Sequence, residues 1–333
     1  MLTATPIRSR RPGEIAGFLL SLTFAASTAV RDVYLGGLLQ RVDPLLVALT
    51  AFALCSLVFL PVALARDPAG VAALVRRPAP LFWINATTGF AWLSFFFALK
   101  TVEPALVQVL FYGIGPLSVR WVDGLVPSSL RTALGRGERM LQLGLMASLV
   151  AAAVVVLGGR SGLGTQPLPM AALGIVLALA GGVSISISTL LCRALNDTGQ
   201  RPATLLAMRF PGAVVLAGVF ALGSPTTLLA GLAPGVLGGV ALAAFLLIVL
   251  PNYLNQIGVA LASPVTVRAV LALGPVLVFA LQLGDGRLSS SPWTLAVAVM
   301  YAAFAVSVVL ARRQAIVAAP APPALLPQPA STR

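Results

Sequence analysis

The sequence predicts an all-α polytopic membrane protein whose ten transmembrane helices form two inverted-topology five-helix repeats. Three observations carry this. The 333 residues are 59% hydrophobic and only 9% charged, with a mean hydropathy of +0.99, whereas soluble domains carry roughly a quarter charged residues. The apolar residues gather into runs of about 20, the length that crosses a hydrocarbon core. The chain also repeats itself at an offset near 158: DPLLVALTAF (Asp43 to Phe52) lines up with RPATLLAMRF (Arg201 to Phe210), and LVQVLFYGIGP (Leu106 to Pro116) with VTVRAVLALGP (Val265 to Pro275). Each copy holds five spans, an odd number, so the second enters the membrane upside down relative to the first.

Taken in order, with Pro, Gly and charge marking the ends, the spans run Ala16 to Leu35, Pro44 to Leu64, Leu81 to Leu99, Pro104 to Val122 and Met140 to Leu157. The second five run Met170 to Leu191, Ala203 to Leu222, Val236 to Tyr253, Pro264 to Leu283 and Trp293 to Leu310. The first follows Arg8, Arg10 and Arg11 as a signal peptide would, but it is too long and continues through Arg31 and Asp32, so it reads as a retained helix. Residues 14–158 and 170–311 are the two repeats. Residues 314–333, Pro-rich and of low complexity, read as a disordered cytoplasmic tail.

Charge sets the orientation. The tails and even-numbered loops hold fourteen Arg, the odd-numbered loops only Arg41, Lys100, Arg160 and Arg287, which puts both termini in the cytoplasm. The net charge of +13 is spread over loop edges rather than clustered, which excludes a nucleic-acid surface. The dominance of Arg over a single Lys, with abundant Ala, Leu and Val, fits a GC-rich genome and a bacterial inner membrane. With no His and two Cys, His-based zinc sites, His-dependent triads and a disulfide scaffold are excluded. No cofactor is expected, and no enzyme activity.

Three stretches resemble the drug/metabolite transporter superfamily, specifically its EamA-type ten-helix exporters. FFFALKTVEPALVQVLFYGIGPLSVRWVDGL (Phe95 to Leu125) resembles that family's third-to-fourth helix hairpin, with a Gly-Pro halfway along the fourth helix. GERMLQLGLMASLVAAAVVVLGG (Gly137 to Gly159) resembles its fifth helix, and IGVALASPVTVRAVLALGPVLVFALQLGDG (Ile257 to Gly286) the same hairpin in the second half. The resemblance covers about residues 14 to 311. Departures are the absence of a Trp from the first helix, Gly-Asp-Gly in place of Gly-Glu-Arg in the second half, and a long link between the fourth and fifth spans. It implies a secondary transporter that exports amino acids or other small metabolites by alternating access.

Polar side chains within hydrocarbon are costly and converge on a bundle interior or a wet cavity. The candidate substrate-binding residues are accordingly Arg31 on the first span, Trp92 on the third with Asn85 and Thr88 on the same face, Gln108 and Tyr112 on the fourth, and Ser184 on the sixth. Arg209 on the seventh, Asn252, Tyr253 and Gln256 on the eighth, and Arg268 on the ninth complete the set. Each has a plainer role open to it. Ser184 can bond its own helix, Asn252, Tyr253 and Gln256 can sit at the interface beyond Pro251, Arg31 can pair with Asp32, and Arg209 and Arg268 can snorkel to phosphates. The surplus of intramembrane Arg favours a carboxylate-bearing solute. A nucleotide-sugar or other organic-anion carrier of the same superfamily is the alternative, and a membrane-embedded enzyme or structural subunit a further one. Asp32 or Glu103 is the carboxylate placed to carry a proton, if transport is proton-coupled. The fifth and tenth spans, apolar all round, face lipid or a second copy of the chain.

Overall fold

A computed structural model describes residues 12–118, 136–223, 234–254 and 270–318. Among them every regular element is helical. The first half holds α1 (Pro12–Leu39), α2 (Pro44–Arg66), the short α3 (Pro68–Val75), α4 (Pro78–Thr101), α5 (Pro104–Ser118) and α6 (Arg136–Leu157). The second holds α7 (Leu168–Asp197), α8 (Pro202–Met208), α9 (Pro211–Leu222), α10 (Pro234–Ala244) running into a π-helical turn (Phe245–Val249), α11 (Gly274–Asp285) and α12 (Pro292–Ala318). Among the described residues eight segments are long and apolar enough to cross a membrane, and Pro104–Ser118 and Gly274–Asp285 are shorter apolar helices. The chain is an integral membrane protein of helical class.

Proline sets most of the helix starts. Pro44, Pro78, Pro104, Pro202, Pro211 and Pro292 each stand at or next to the first helical position, where a missing N–H costs nothing and φ is already helical. Asp43 caps α2 by accepting the Leu45 N–H at 2.7 Å. Asp67 caps α3 through the Gly70 N–H and accepts the Thr204 hydroxyl, which ties the α2–α3 turn to α8.

Two departures from regular helix have proline as their cause. The expected single span Ala203 to Leu222 is broken at Arg209–Phe210, because Pro211 can neither donate to the preceding turn nor tolerate its carbonyl. Asn85 on α4 repairs the gap: its Nδ2 donates to Met208 O at 2.9 Å, and its Oδ1 accepts the Gly212 N–H at 2.7 Å. The π turn at Phe245–Val249 lies just ahead of Pro251, a local widening that absorbs the ring. At the other end of the chain α12 continues to Ala318 rather than stopping at Leu310, since AIVA contains no helix breaker and the first proline is Pro320. Helix therefore occupies 314–318, the start of the segment expected to be a disordered tail.

The core is held by close approach. A β-carbon added to Gly182 of α7 would lie 2.2 Å from Phe111 O, and one on Gly181 would lie 3.0 Å from Ala91 O. Small residues thus bring α7 against α4 and α5, as they do in membrane bundles generally. Hydroxyls fasten the contact. Ser184 donates to Thr87 O at 2.9 Å, and Thr88 and Ser188 share a hydrogen bond of 2.8 Å. Deeper in, Phe52, Trp92, Phe95, Phe96, Phe111 and Phe210 form a continuous aromatic cluster, with Phe52 and Phe210 stacked at 5.7 Å. On the far side, Phe304 of α12 fills the notch left by Gly144 on α6.

Replacing Asn85 by Ala orphans Met208 O and the Gly212 N–H together. At about 1–3 kcal/mol per buried unsatisfied group, thermal unfolding in nanodiscs should fall by several degrees, while Asn196→Ala in the exposed last turn of α7 leaves it unchanged.

Candidate functional site

Between the two halves lies a cavity of about 370 Å³. Among the described residues its walls are Phe24, Ala25 and Thr28 of α1, Gln108, Tyr112, Gly115 and Pro116 of α5, and Leu145 of α6. Ser186, Thr189 and Leu190 of α7, Leu271, Ala272 and Gly274 at the start of α11, and Tyr301, Ala305, Val308 and Val309 of α12 complete them. From Gln108 to Pro116 it follows α5 for about 12 Å at the helical rise. The described walls are mainly apolar and carry no charged side chain, and polar groups gather where α1 meets α5.

That polar end is a buried cluster. Arg31 is 2% exposed and Asp32 is fully buried. Arg31 Nε donates to Asp32 Oδ1 at 2.6 Å, and Gln108 Nε2 donates to Asp32 Oδ2 at 2.6 Å. The guanidinium carbon lies 5.1 Å from the centre of the Trp92 ring and 5.4 Å from that of Phe95, and the Tyr112 hydroxyl stands beside the same guanidinium. Neither ion could remain alone in such surroundings, because desolvation costs several kcal/mol per charge unless geometry and further hydrogen bonds offset it. Here the offset comes from the pair itself, from the Gln108 amide and from two aromatic faces.

Beyond Gln108 the polar end is packed shut. Glu103, at the junction of α4 and α5, is fully buried and accepts three hydrogen bonds, one from the link between the halves and two from the second half. They come from the Gly162 N–H at 2.6 Å, Gln282 Nε2 at 2.7 Å and the Thr294 hydroxyl at 2.7 Å. Gln282 Oε1 in turn accepts the Ala105 N–H at 2.9 Å, and Arg287 donates to Val33 O at 2.8 Å. Burial raises the Glu103 carboxyl above its ordinary value, against the lowering effect of its three donors.

The sequence-predicted residues fall into three groups. Arg31, Trp92, Gln108 and Tyr112 come together in the cluster, with Gln108 and Tyr112 on the cavity wall. Ser184 is spent on Thr87 O, and Asn252 bonds Ile248 O of its own helix at 2.7 Å. Tyr253 is 53% exposed on the outer surface. Arg209 sits at the break between α8 and α9, its guanidinium carbon 5.0 Å from the Phe210 ring centre. Gln256 and Arg268 lie outside the described residues. Sequence reasoning placed Asp32 at the outer boundary and missed its bond to Gln108. It also missed Gln282 and Thr294 as partners of Glu103, and Tyr301 and Ala305, because the tenth span reads as uniformly apolar. The Tyr at 301 within that run was the one available signal.

Arg31→Met leaves Asp32 buried without its cation and should cost about 3–5 kcal/mol, read as a fall in unfolding temperature. The double variant Arg31→Met/Asp32→Leu should recover much of that loss. For Glu103 the native carboxyl binds its proton more tightly than the unfolded one. Stability should therefore decline as pH rises from the ordinary glutamate value through the raised one. Glu103→Gln should flatten that part of the pH profile of thermal unfolding.

No family model and no curated protein matches this chain. A solved structure described as "Crystal structure of protein" is similar at 20% identity with a TM-score of 0.58, over 90% of this chain and 99% of the other. At that identity the likeness establishes a shared fold.

Proposed function

We propose that this chain is a secondary transporter of the drug/metabolite transporter superfamily, of the EamA type, which exports a small amino-acid-like metabolite by alternating access. The carrying observation is the cavity between the two halves, bounded by the Arg31–Asp32–Gln108 cluster and packed beyond it by Glu103. Carriers of this kind bind at the interface of their repeats and open alternately by rocking one repeat against the other.

In this reading the ten spans comprise the eight long segments and the two shorter apolar helices. Phe52 and Phe210, equivalent positions in the two sequence copies, stack on one another, as residues close to a pseudo-two-fold axis do. The membrane is the bacterial inner membrane with both termini cytoplasmic, on the strength of the basic-residue count. The solvent-side faces of α6 and α12, among them Leu143, Val150, Val154 and Val299, meet lipid or a second copy of the chain. A nucleotide-sugar substrate fits less well, because the described walls offer no Lys or Arg to a phosphate.

Inside-out vesicles containing the protein should accumulate one or more labelled amino acids from a panel, above vesicles without it. Ala305→Trp fills the cavity from α12 and should lower that accumulation at least tenfold, with unfolding temperature held within a few degrees. Absence of protein-dependent accumulation across the panel counts against the reading.

A further inference from the structure

At one end of the bundle the last turns of α2, α3 and α7 meet the first turns of α4 and α8. Val71 and Leu74 of α3 pack there into a small core with Ala63, Ile84, Leu195 and Leu205, and two polar ties hold the surface above it. Asp67 accepts the Gly70 N–H and the Thr204 hydroxyl, and Arg77 Nη1 donates to Thr198 Oγ1 at 3.3 Å. The α2–α3 turn and the α3–α4 junction are thereby fixed to the link between α7 and α8.

Five arginines edge this surface: Arg66, Arg76, Arg77, Arg193 and Arg201, all of them exposed. The same elements supply two carboxylates, Asp67 and Asp197, so positive charge is in excess by three. Among the described residues none of the five arginines forms an ion pair. The opposite end of the bundle differs. There Arg287 pairs with Asp285 and donates to Val33 O, and Arg160 lies 5.2 Å from the centre of the Trp293 ring, so those charges are spent within the fold.

What lies below the arginines selects the partner. Phe82 and Trp83 of α4 are 62% and 56% exposed, and Val62, Leu64 and Val75 are exposed beside the same turns. Trp83 stands about 8 Å along α4 from Pro78 at the helical rise, the depth at which aromatic side chains anchor a span in the interface. Cations above an apolar and aromatic surface, at the edge of a membrane span, match a molecule with an anionic head and apolar chains. An acidic soluble partner would leave the apolar half unused.

We propose that this surface binds an anionic phospholipid, the arginines taking the headgroup phosphate while Phe82, Trp83 and Val75 lie along the acyl chains. The guanidinium fork suits a phosphate diester, which it can engage through two parallel N–H donors. The ties through Asp67 and Arg77 hold the arginines of both halves in one place before the lipid arrives. The inference is independent of the transport reading.

The test is lipid retention by the full-length protein in a neutral detergent, supplied with equal amounts of dioleoyl phosphatidylglycerol and dioleoyl phosphatidylcholine and read by native mass spectrometry. The two lipids share their chains and differ in headgroup charge. The wild type should retain the anionic lipid at least fivefold over the zwitterionic one. Arg66→Gln/Arg76→Gln/Arg77→Gln/Arg201→Gln should bring that ratio to within twofold of unity. Where the fourfold variant fails to fold, the pair Arg66→Gln/Arg76→Gln, whose side chains make no hydrogen bond among the described residues, should still lower the ratio at least twofold. Arg41→Gln/Lys100→Gln removes the same charge as that pair from the opposite end and should leave the ratio unchanged. Neither glycerophosphoglycerol, the headgroup without its chains, nor polyglutamate should displace the lipid at millimolar concentration. Equal retention of the two lipids by the wild type, a ratio unmoved by the arginine substitutions, a ratio moved as far by Arg41→Gln/Lys100→Gln, or displacement by either chain-free polyanion overturns the proposal.

Discussion

In hydrocarbon there is no water to take up a hydrogen bond, so every buried N–H, C=O and charge must find its partner within the protein. The Arg31–Asp32–Gln108 cluster is the most demanding case, because it places two full charges in the apolar interior. Its solution shapes the surroundings. The guanidinium needs aromatic faces, so Trp92 and Phe95 of α4 are drawn toward α1, and the second carboxylate oxygen needs a donor, which brings α5 into register through Gln108. One ion pair thereby fixes the relative positions of three helices.

The same constraint explains how interruptions in the helices are tolerated. Pro211 breaks the seventh span, and the freed carbonyl and amide are taken by one side chain, Asn85, that offers a donor and an acceptor together. Pro251 is preceded by a π turn, and Asn252 covers a carbonyl of that turn. Broken helices at membrane depth persist where neighbouring side chains satisfy the freed groups. Both breaks here meet that condition, so they are stable features of the fold.

The two ends of the molecule are built differently. Around Glu103 five elements converge on side-chain and backbone hydrogen bonds that cross from one half of the chain to the other. Along the cavity the contact between halves is apolar and the walls are separated. Hydrogen bonds of this kind are directional and either formed or lost, which makes the Glu103 end the natural place for two discrete arrangements, whereas the apolar walls can slide over small residues at modest cost. In the proposed transport cycle the Glu103 contacts would be the ones exchanged.

How much of this was legible in the sequence follows from what each signal encodes. Apolar runs and prolines determine where helices start and stop, because crossing hydrocarbon and lacking an N–H are properties of the local chain. Helical spacing also marked Arg31, Trp92, Gln108 and Tyr112 as inward-facing, since a polar or amphipathic group on an apolar helix has few other places to go. Partners were beyond its reach. Nothing local distinguishes Asn85, which bridges a break 123 to 127 residues away, from Asn252, which bonds its own helix. Periodicity gives a face, and only tertiary packing decides what that face meets. For the same reason a surplus of intramembrane Arg reads as positive charge in the sequence, while in the fold Asp32 neutralises Arg31.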